Sequence, residues 1–299
     1  ALNLDSTLRA QPIQKLSQFI TSLRKQDREA LEFCLPYALQ IPLKPDSALQ
    51  RAFQANINIP FNRQAYTALD TLQNWRNTVF SELNSAFKRL KILAPALPRP
   101  KQVYFAYTQF AASAYCSNQT IVIGQERYLG PQHPVIQMLP EQQFYQWIKN
   151  GLAPQYAATD AILVWLSTHV IKQTDENFAS EMIRWGKLLY LTASVLPETP
   201  IGQILAQNDE DMVWLVLNEK VIWNYLLDQK LLYDTNEETL RDLLADAPFS
   251  LGKMGVPDRT GQFLGFQMVQ EFMRKKKISM ADLLNTPYLT IVQQYTPPK

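Results

Sequence analysis

Three prolines within seven residues, Ala94-Pro-Ala-Leu-Pro-Arg-Pro100, constrain this chain more than any other feature. Each proline removes a backbone donor and turns the preceding residue away from helical geometry, so no helix or central strand continues through the segment. What precedes it reads as helical. Leu16, Phe19, Ile20 and Leu23 recur at helical spacing, and Pro36, Pro42 and Pro45 then interrupt the pattern. A long helix is expected from about Asn62 to Leu93, with Leu69, Leu72, Trp75, Val79, Phe80, Leu83 and Phe87 on its apolar face. Beyond the prolines the period changes. Val103–Tyr107, Ser113–Cys116 and Thr120–Ile123 are short β-rich runs, with turn chemistry at Ser117 and Asn118. They predict a small three-stranded antiparallel meander.

From residue 140 the periodicity is helical again, with helices expected over 141–149, 156–174, 177–195, 209–228, 236–245 and 260–276. Asn208 is placed to cap the fourth, with Asp209, Glu210 and Asp211 in its first turn. Asp175 and Glu176 stand before the third, and Glu237 and Glu238 favour the start of the fifth. The basic run Arg274–Lys277 fits the C-terminal end of the last, where positive charge meets the negative pole of the helix. The fold class is therefore α+β and mostly α. One domain over 1–299, with subdomains 1–150 and 151–299, accommodates the pattern.

Composition excludes more than it assigns. A formal net charge of +2 leaves no electrostatic footprint for nucleic acid. No run of about 20 apolar residues spans a bilayer. The chain starts at Ala1 without a secretory signal, which leaves both a processed and a truncated origin open. Cys34 and Cys116 lack zinc-ligand spacing; they either pair or act as small buried hydrophobes. Trp147, Trp165, Trp185, Trp214 and Trp223 lie in helical patterns and are expected in the core.

Chemistry is sparse. The two histidines, His133 and His169, exclude a three-histidine metal site, and no nucleophile elbow, phosphate-binding loop or dinucleotide fingerprint is present. His133 is expected in an exposed loop and Asp160 on a solvated face. His169-Val-Ile-Lys-Gln173 spans the five positions of an H-E-x-x-H motif, in which two histidines one helical turn apart hold zinc and the glutamate polarises the bound water. Val170 cannot accept a proton, and the Gln173 amide is a poor zinc ligand. An ordinary helix histidine is the alternative reading of His169.

Several segments in order resemble the gliding-motility GldB family. They are Thr120–Gly130, Glu181–Tyr190, Leu196–Pro200, Asn218–Trp223, Lys230–Thr235, Ala247–Ser250 and Pro257–Gly265, spread over residues 100 to 290. The resemblance implies a zincin-like fold, a lipid-anchored and periplasm-facing place in the cell envelope, and a protein partner in motility or secretion. Contact with the membrane would run only through a lipid anchor preceding Ala1. In active metallopeptidase relatives a glutamate before glycine supplies the third metal ligand; here that position is Trp185, followed by Gly186. The relic of a metal site thus comprises His169, Val170, Gln173, Glu181 and Trp185, with no catalytic residue, metal or cofactor retained.

Gly261 and Gly265 are four apart and permit close helix approach, so the surrounding motif is either architectural or, with Arg259, Gln262 and Lys187, lines the former substrate cleft. Three functions follow as expectations: a noncatalytic partner-binding protein, a hydrolase rewired around His169 and Glu181, and a purely structural subunit.

Overall fold

The structure is a computed structural model and describes residues 1–11, 13–43, 47–173, 176–245 and 256–298. The mostly helical α+β class is as the sequence predicts, and the described residues form two compact units. One comprises residues 1–85 and 98–165, the other 86–97 and 166–299. The expected subdivision fell at residue 150.

The first unit opens with β1 (Leu2–Asn3), α1 (Leu4–Ala10), α2 (Ile13–Gln26) and α3 (Arg28–Glu32), followed by a π-helical turn over Phe33–Ala38. Next come α4 (Ser47–Asn58), α5 (Pro60–Asp70) and α6 (Gln73–Leu93), which runs on into the second unit's segment. The single helix expected from Asn62 is thus two. It breaks because the Leu69 carbonyl accepts from the Leu72 amide and from Arg76 Nη1, which closes a tight turn. On α6 the buried face is Val79, Leu83, Ala86 and Leu90, while Phe80 is exposed. The helix ends at Leu93, just before the prolines.

The sheet follows, and its topology corrects the expected meander. β2 (Gln102–Ala106), β3 (Ala114–Cys116) and β4 (Thr120–Gly124) join β1 in the order β1-β2-β4-β3. β1 and β4 flank β2 in parallel, with Tyr104 opposite Leu2 and Val122, whereas β3 pairs antiparallel with β4. The sheet is mixed because the loop 107–113 carries the chain past β4 before β3 turns back as a hairpin. Gln109 and Phe110 adopt positive φ in that loop, and a β-carbon on Gly124 would overlap the Ala112 carbonyl oxygen. All five residues of β4 are buried, which matches the unbroken apolar run of a strand covered on both faces.

Short helices α7 (Pro134–Gln137) and α8 (Gln146–Gly151) precede α9 (Ala157–His169). His133 is half-buried and caps α7, its Nδ1 accepting from the Val135 amide at 3.2 Å, where an exposed loop was expected. The helix expected at 141 begins only at Gln146, because residues 140–144 form a turn closed on the Pro140 carbonyl. Cys34 and Cys116 are free and buried, the second of their two alternatives. The core gathers Leu4, Leu31, Leu35, Tyr104, Tyr107 and Val122 from helices and sheet.

The second unit is built on α10 (Phe178–Val195) and α14 (Thr260–Lys276), with α11 (Ile201–Leu205), α12 (Asp209–Asp228), α13 (Glu237–Leu244), α15 (Met280–Asn285) and α16 (Tyr288–Val292) around them. Asn208 caps α12 as predicted, accepting from the Asp211 amide at 2.8 Å. For α10 the cap is Asn177, reciprocated by Ser180 in a capping box, and not Glu176. Asp175 lies outside the described residues, as does the Ala247–Ser250 segment. Arg274, Lys275 and Lys276 occupy the last turn of α14, as expected.

Gly186 and Gly265 meet where α10 and α14 cross. A β-carbon on Gly265 would overlap the Met182 carbonyl oxygen, and one on Gly186 would overlap the Gly265 carbonyl oxygen. Backbone here touches backbone at Gly265, one of the two glycines expected to permit close approach; the other, Gly261, faces Leu243 and Leu244 of α13 instead, and Gly186 was not part of the expectation. Gly265→Ala should therefore destabilise the protein by about 3 kcal/mol through forced helix separation. Gly151→Ala, where added carbon meets nothing within 4 Å, should shift stability by less than about 1 kcal/mol. Denaturant unfolding of the two variants measures the contrast.

Candidate functional site

The N-terminal turns of α10 face α13 across a cavity of about 570 Å³. Among the described residues, Glu181, Arg184 and Trp185 form one wall, and Leu240, Arg241, Leu244 and Ala245 the other; Gln173, Glu176, Asn177, Thr235 and Glu237 also line it. The volume lies within the range of small-ligand and peptide-side-chain pockets. Helical spacing sets the chemistry of the first wall. Glu181 and Arg184 are three apart, and Arg184 Nε donates to Glu181 Oε2 at 2.7 Å, with only 10% and 7% of the arginine and glutamate side chains exposed. The Arg184 guanidinium also lies over the Trp185 ring, 5.0 Å from its centroid. Trp185 is half-buried. The wall is thus charged yet internally neutralised, with an aromatic surface beside it.

The remaining relic positions are arranged differently from a zincin helix. α9 stops at His169: the Val170 and Ile171 amides both turn back to the Leu166 carbonyl, at 2.9 and 2.8 Å. Helix was expected to 174, but Thr174 lies outside the described residues and Gln173 is already non-helical. His169 and Gln173 are therefore not one turn apart on a helix face. Gln173 lines the cavity, whereas His169 and Val170 are half-buried outside that lining. Among the described residues, no group of three or more His, Cys, Asp or Glu side chains is disposed to hold a metal.

The three cleft candidates are each engaged with backbone carbonyls. Lys187 Nζ, whose ammonium pKa is lowered by burial, donates to Thr286 at 2.6 Å and Leu284 at 3.3 Å. Arg259 Nη1 donates to Leu205 at 2.8 Å, and Gln262 Nε2 to Leu244 at 2.6 Å. Gln262 still shapes the cavity at one remove, since it holds the end of α13 that carries Leu244.

Sequence reasoning missed a second constellation, in the first unit. Glu126 is fully buried, and its Oε1 accepts from the Thr108 amide at 3.0 Å, the Thr108 hydroxyl at 2.6 Å and the Phe110 amide at 2.8 Å. Its Oε2 is buried without a hydrogen-bond partner. Next along the chain, Gln125 donates from Nε2 to Asp5 Oδ2 at 2.6 Å and accepts at Oε1 from Arg76 Nη1 at 3.0 Å. Burial raises the pKa of Glu126 and pushes that of Asp5 up to about 7, with Glu126 adding repulsion. Asp160, expected on a solvated face, is half-buried and accepts from the Tyr128 hydroxyl at 2.9 Å. Trp165 is fully buried and donates from Nε1 to the Pro98 carbonyl at 3.0 Å, while Trp147 is exposed despite its helical pattern. The signals were single acids in apolar segments, which resemble ordinary surface positions until burial is known.

The family model for the gliding motility protein GldB matches residues 3–297, nearly the entire chain. The chain belongs to that family. No curated protein and no solved structure matches it. Family membership ties this GldB-family chain to gliding motility. No helix among its described residues is long and apolar enough to cross a membrane.

The buried acids of this GldB-family chain set a pH dependence of known sign. Asp5 holds its proton more tightly when folded, so its contribution to stability is fully present below pH 3.8 and is lost as pH rises through about 7. That difference reaches about 4 kcal/mol over the window. Asp5→Asn keeps an acceptor for Gln125 but cannot ionise. It should flatten the dependence of the denaturation midpoint on pH between 4 and 8, measured against wild type by chemical unfolding.

Proposed function

We propose that this chain is a noncatalytic component of the gliding apparatus in the cell envelope, held there by a lipid anchor, which binds a polypeptide partner in the cavity between α10 and α13. The observation that carries this reading is the buried Glu181–Arg184 pair at 2.7 Å. Arg184 Nε holds Glu181 Oε2 from within the same helix, so the carboxylate is oriented by its own wall. The pair makes the wall rigid and nearly neutral. Trp185, Leu240 and Leu244 then offer apolar contact, and Gln173 and Thr235 offer hydrogen bonds to a peptide backbone. Such a lining suits an extended segment bearing one large apolar side chain. Family membership supports the motility setting.

Two variants test the reading in gliding cells. Trp185→Ala and Leu240→Lys should each abolish gliding and reduce the co-purified partner by more than tenfold, a loss of about 1.4 kcal/mol or more. Their thermal midpoints and cellular levels should stay near wild type. Normal gliding and partner recovery in both variants would refute cavity binding. Metal analysis of the purified chain addresses the rewired hydrolase centred on His169 and Glu181: stoichiometric zinc, with peptide cleavage abolished by a chelator, would overturn the noncatalytic assignment.

A further inference from the structure

α12 runs for 20 residues and is apolar on both sides. Its inner side buries Leu215, Ile222, Trp223 and Leu226 against the second unit. A surface helix ordinarily turns polar residues outward. Here the outward side presents Val213 at 58% exposure, Val216 at 50%, Leu217 at 77% and Val221 at 62%. Val213, Leu217 and Val221 are spaced four apart and form one stripe. Contiguous exposed apolar surface on a helix marks an interaction site.

Charge selects the occupant. Asp209, Glu210, Val213, Trp214, Leu217 and Asn218 line one shallow hollow of about 440 Å³, which joins the acidic first turn to the apolar stripe. Anionic lipid would be repelled at that end. A lysine or arginine would lay its aliphatic stem along Val213 and Leu217, place its charge between Asp209 and Glu210, and meet the Trp214 ring on the way. α12 itself carries one base on this side, exposed Lys220 beside Leu217 and Val221, so a second copy is the rival occupant that the crosslink distinguishes. We propose that the outward face of α12 docks an amphipathic helix of a partner protein, with apolar anchors on Val213, Leu217 and Val221 and a basic side chain one or two turns away seated against Asp209 and Glu210. The proposal is independent of the cavity beside α10.

The test is site-specific photocrosslinking of the full chain in gliding cells. A photoreactive residue replaces Leu217 or, in a second variant, Val221, and mass spectrometry identifies the captured segment. The expected product is a helix-forming segment of another protein with Lys or Arg within two turns of the captured residue. Combining the probe with Asp209→Asn and Glu210→Gln should lower the yield about fivefold, as loss of two exposed charge contacts predicts. Capture of a second copy of the chain, capture of lipid, no capture from either position, or a yield indifferent to both charge substitutions would overturn the proposal.

Discussion

The topology of the first unit depends on a single carboxylate oxygen. Glu126 Oε1 gathers two amides and a hydroxyl from residues 108 and 110, and so fixes the loop that carries the chain past β4. A β2-to-β3 hairpin is the shorter connection and gives the meander that the strand spacing suggested; the loop held by Glu126 takes the longer path. Taking a carboxylate out of water costs several kcal/mol, and its three donors offset only part of that. The unpartnered Oε2 and the raised pKa both reflect the remainder. The adjacent Gln125 extends the network to Asp5 on α1 and to Arg76 on α6, so residues more than a hundred positions apart meet at one polar centre. An apolar core tolerates many packings; a buried polar network specifies one.

The second unit rests on a different constraint, the absence of side chains at Gly186 and Gly265. Their contact brings α10 and α14 backbone to backbone. α14 then supports α13 through Gly261, whose added β-carbon would meet the Leu243 carbonyl oxygen at 2.9 Å, and through the Gln262–Leu244 hydrogen bond. Both walls of the cavity are thereby set by one helix that does not line it. This explains how a motif read as cleft lining can be architectural and still govern the cleft.

Local signals were legible in the sequence where one residue decides the outcome. The prolines after Leu93, the Asn208 cap, the basic end of α14 and the glycine contact all act within a turn of chain or by steric size alone. Strand pairing was not legible, because β1 is two residues long and the loop between β2 and β3 is held by Glu126, whose burial no local pattern reveals. The break at Thr71 was hidden for the same reason: apolar periodicity runs through it, and Arg76 reaching back to Leu69 creates it. At the candidate site, Glu181 and Trp185 were identified from the family pattern, and the structure puts both on one wall. Arg184 was missed, although its spacing of three from Glu181 signals an ion pair. The five residues from His169 were aligned on the assumption of continuous helix, and the doubled bond to the Leu166 carbonyl ends that helix at its first position.

Arg184 matters because it ties Glu181 to its own helix. The pair sets two opposite charges against each other in the cavity wall, with the guanidinium lying over the Trp185 ring. At the α12 stripe, Asp209 and Glu210 stand exposed at the helix start, while Asp211 accepts from Asn208 Nδ2 at 2.6 Å. Both surfaces lean on α14, so disruption of its glycines would damage both together and distinguish nothing. Substitutions at half-buried Trp185 and exposed Leu217 act on one surface each, and separate recognition from the integrity of the helix beneath.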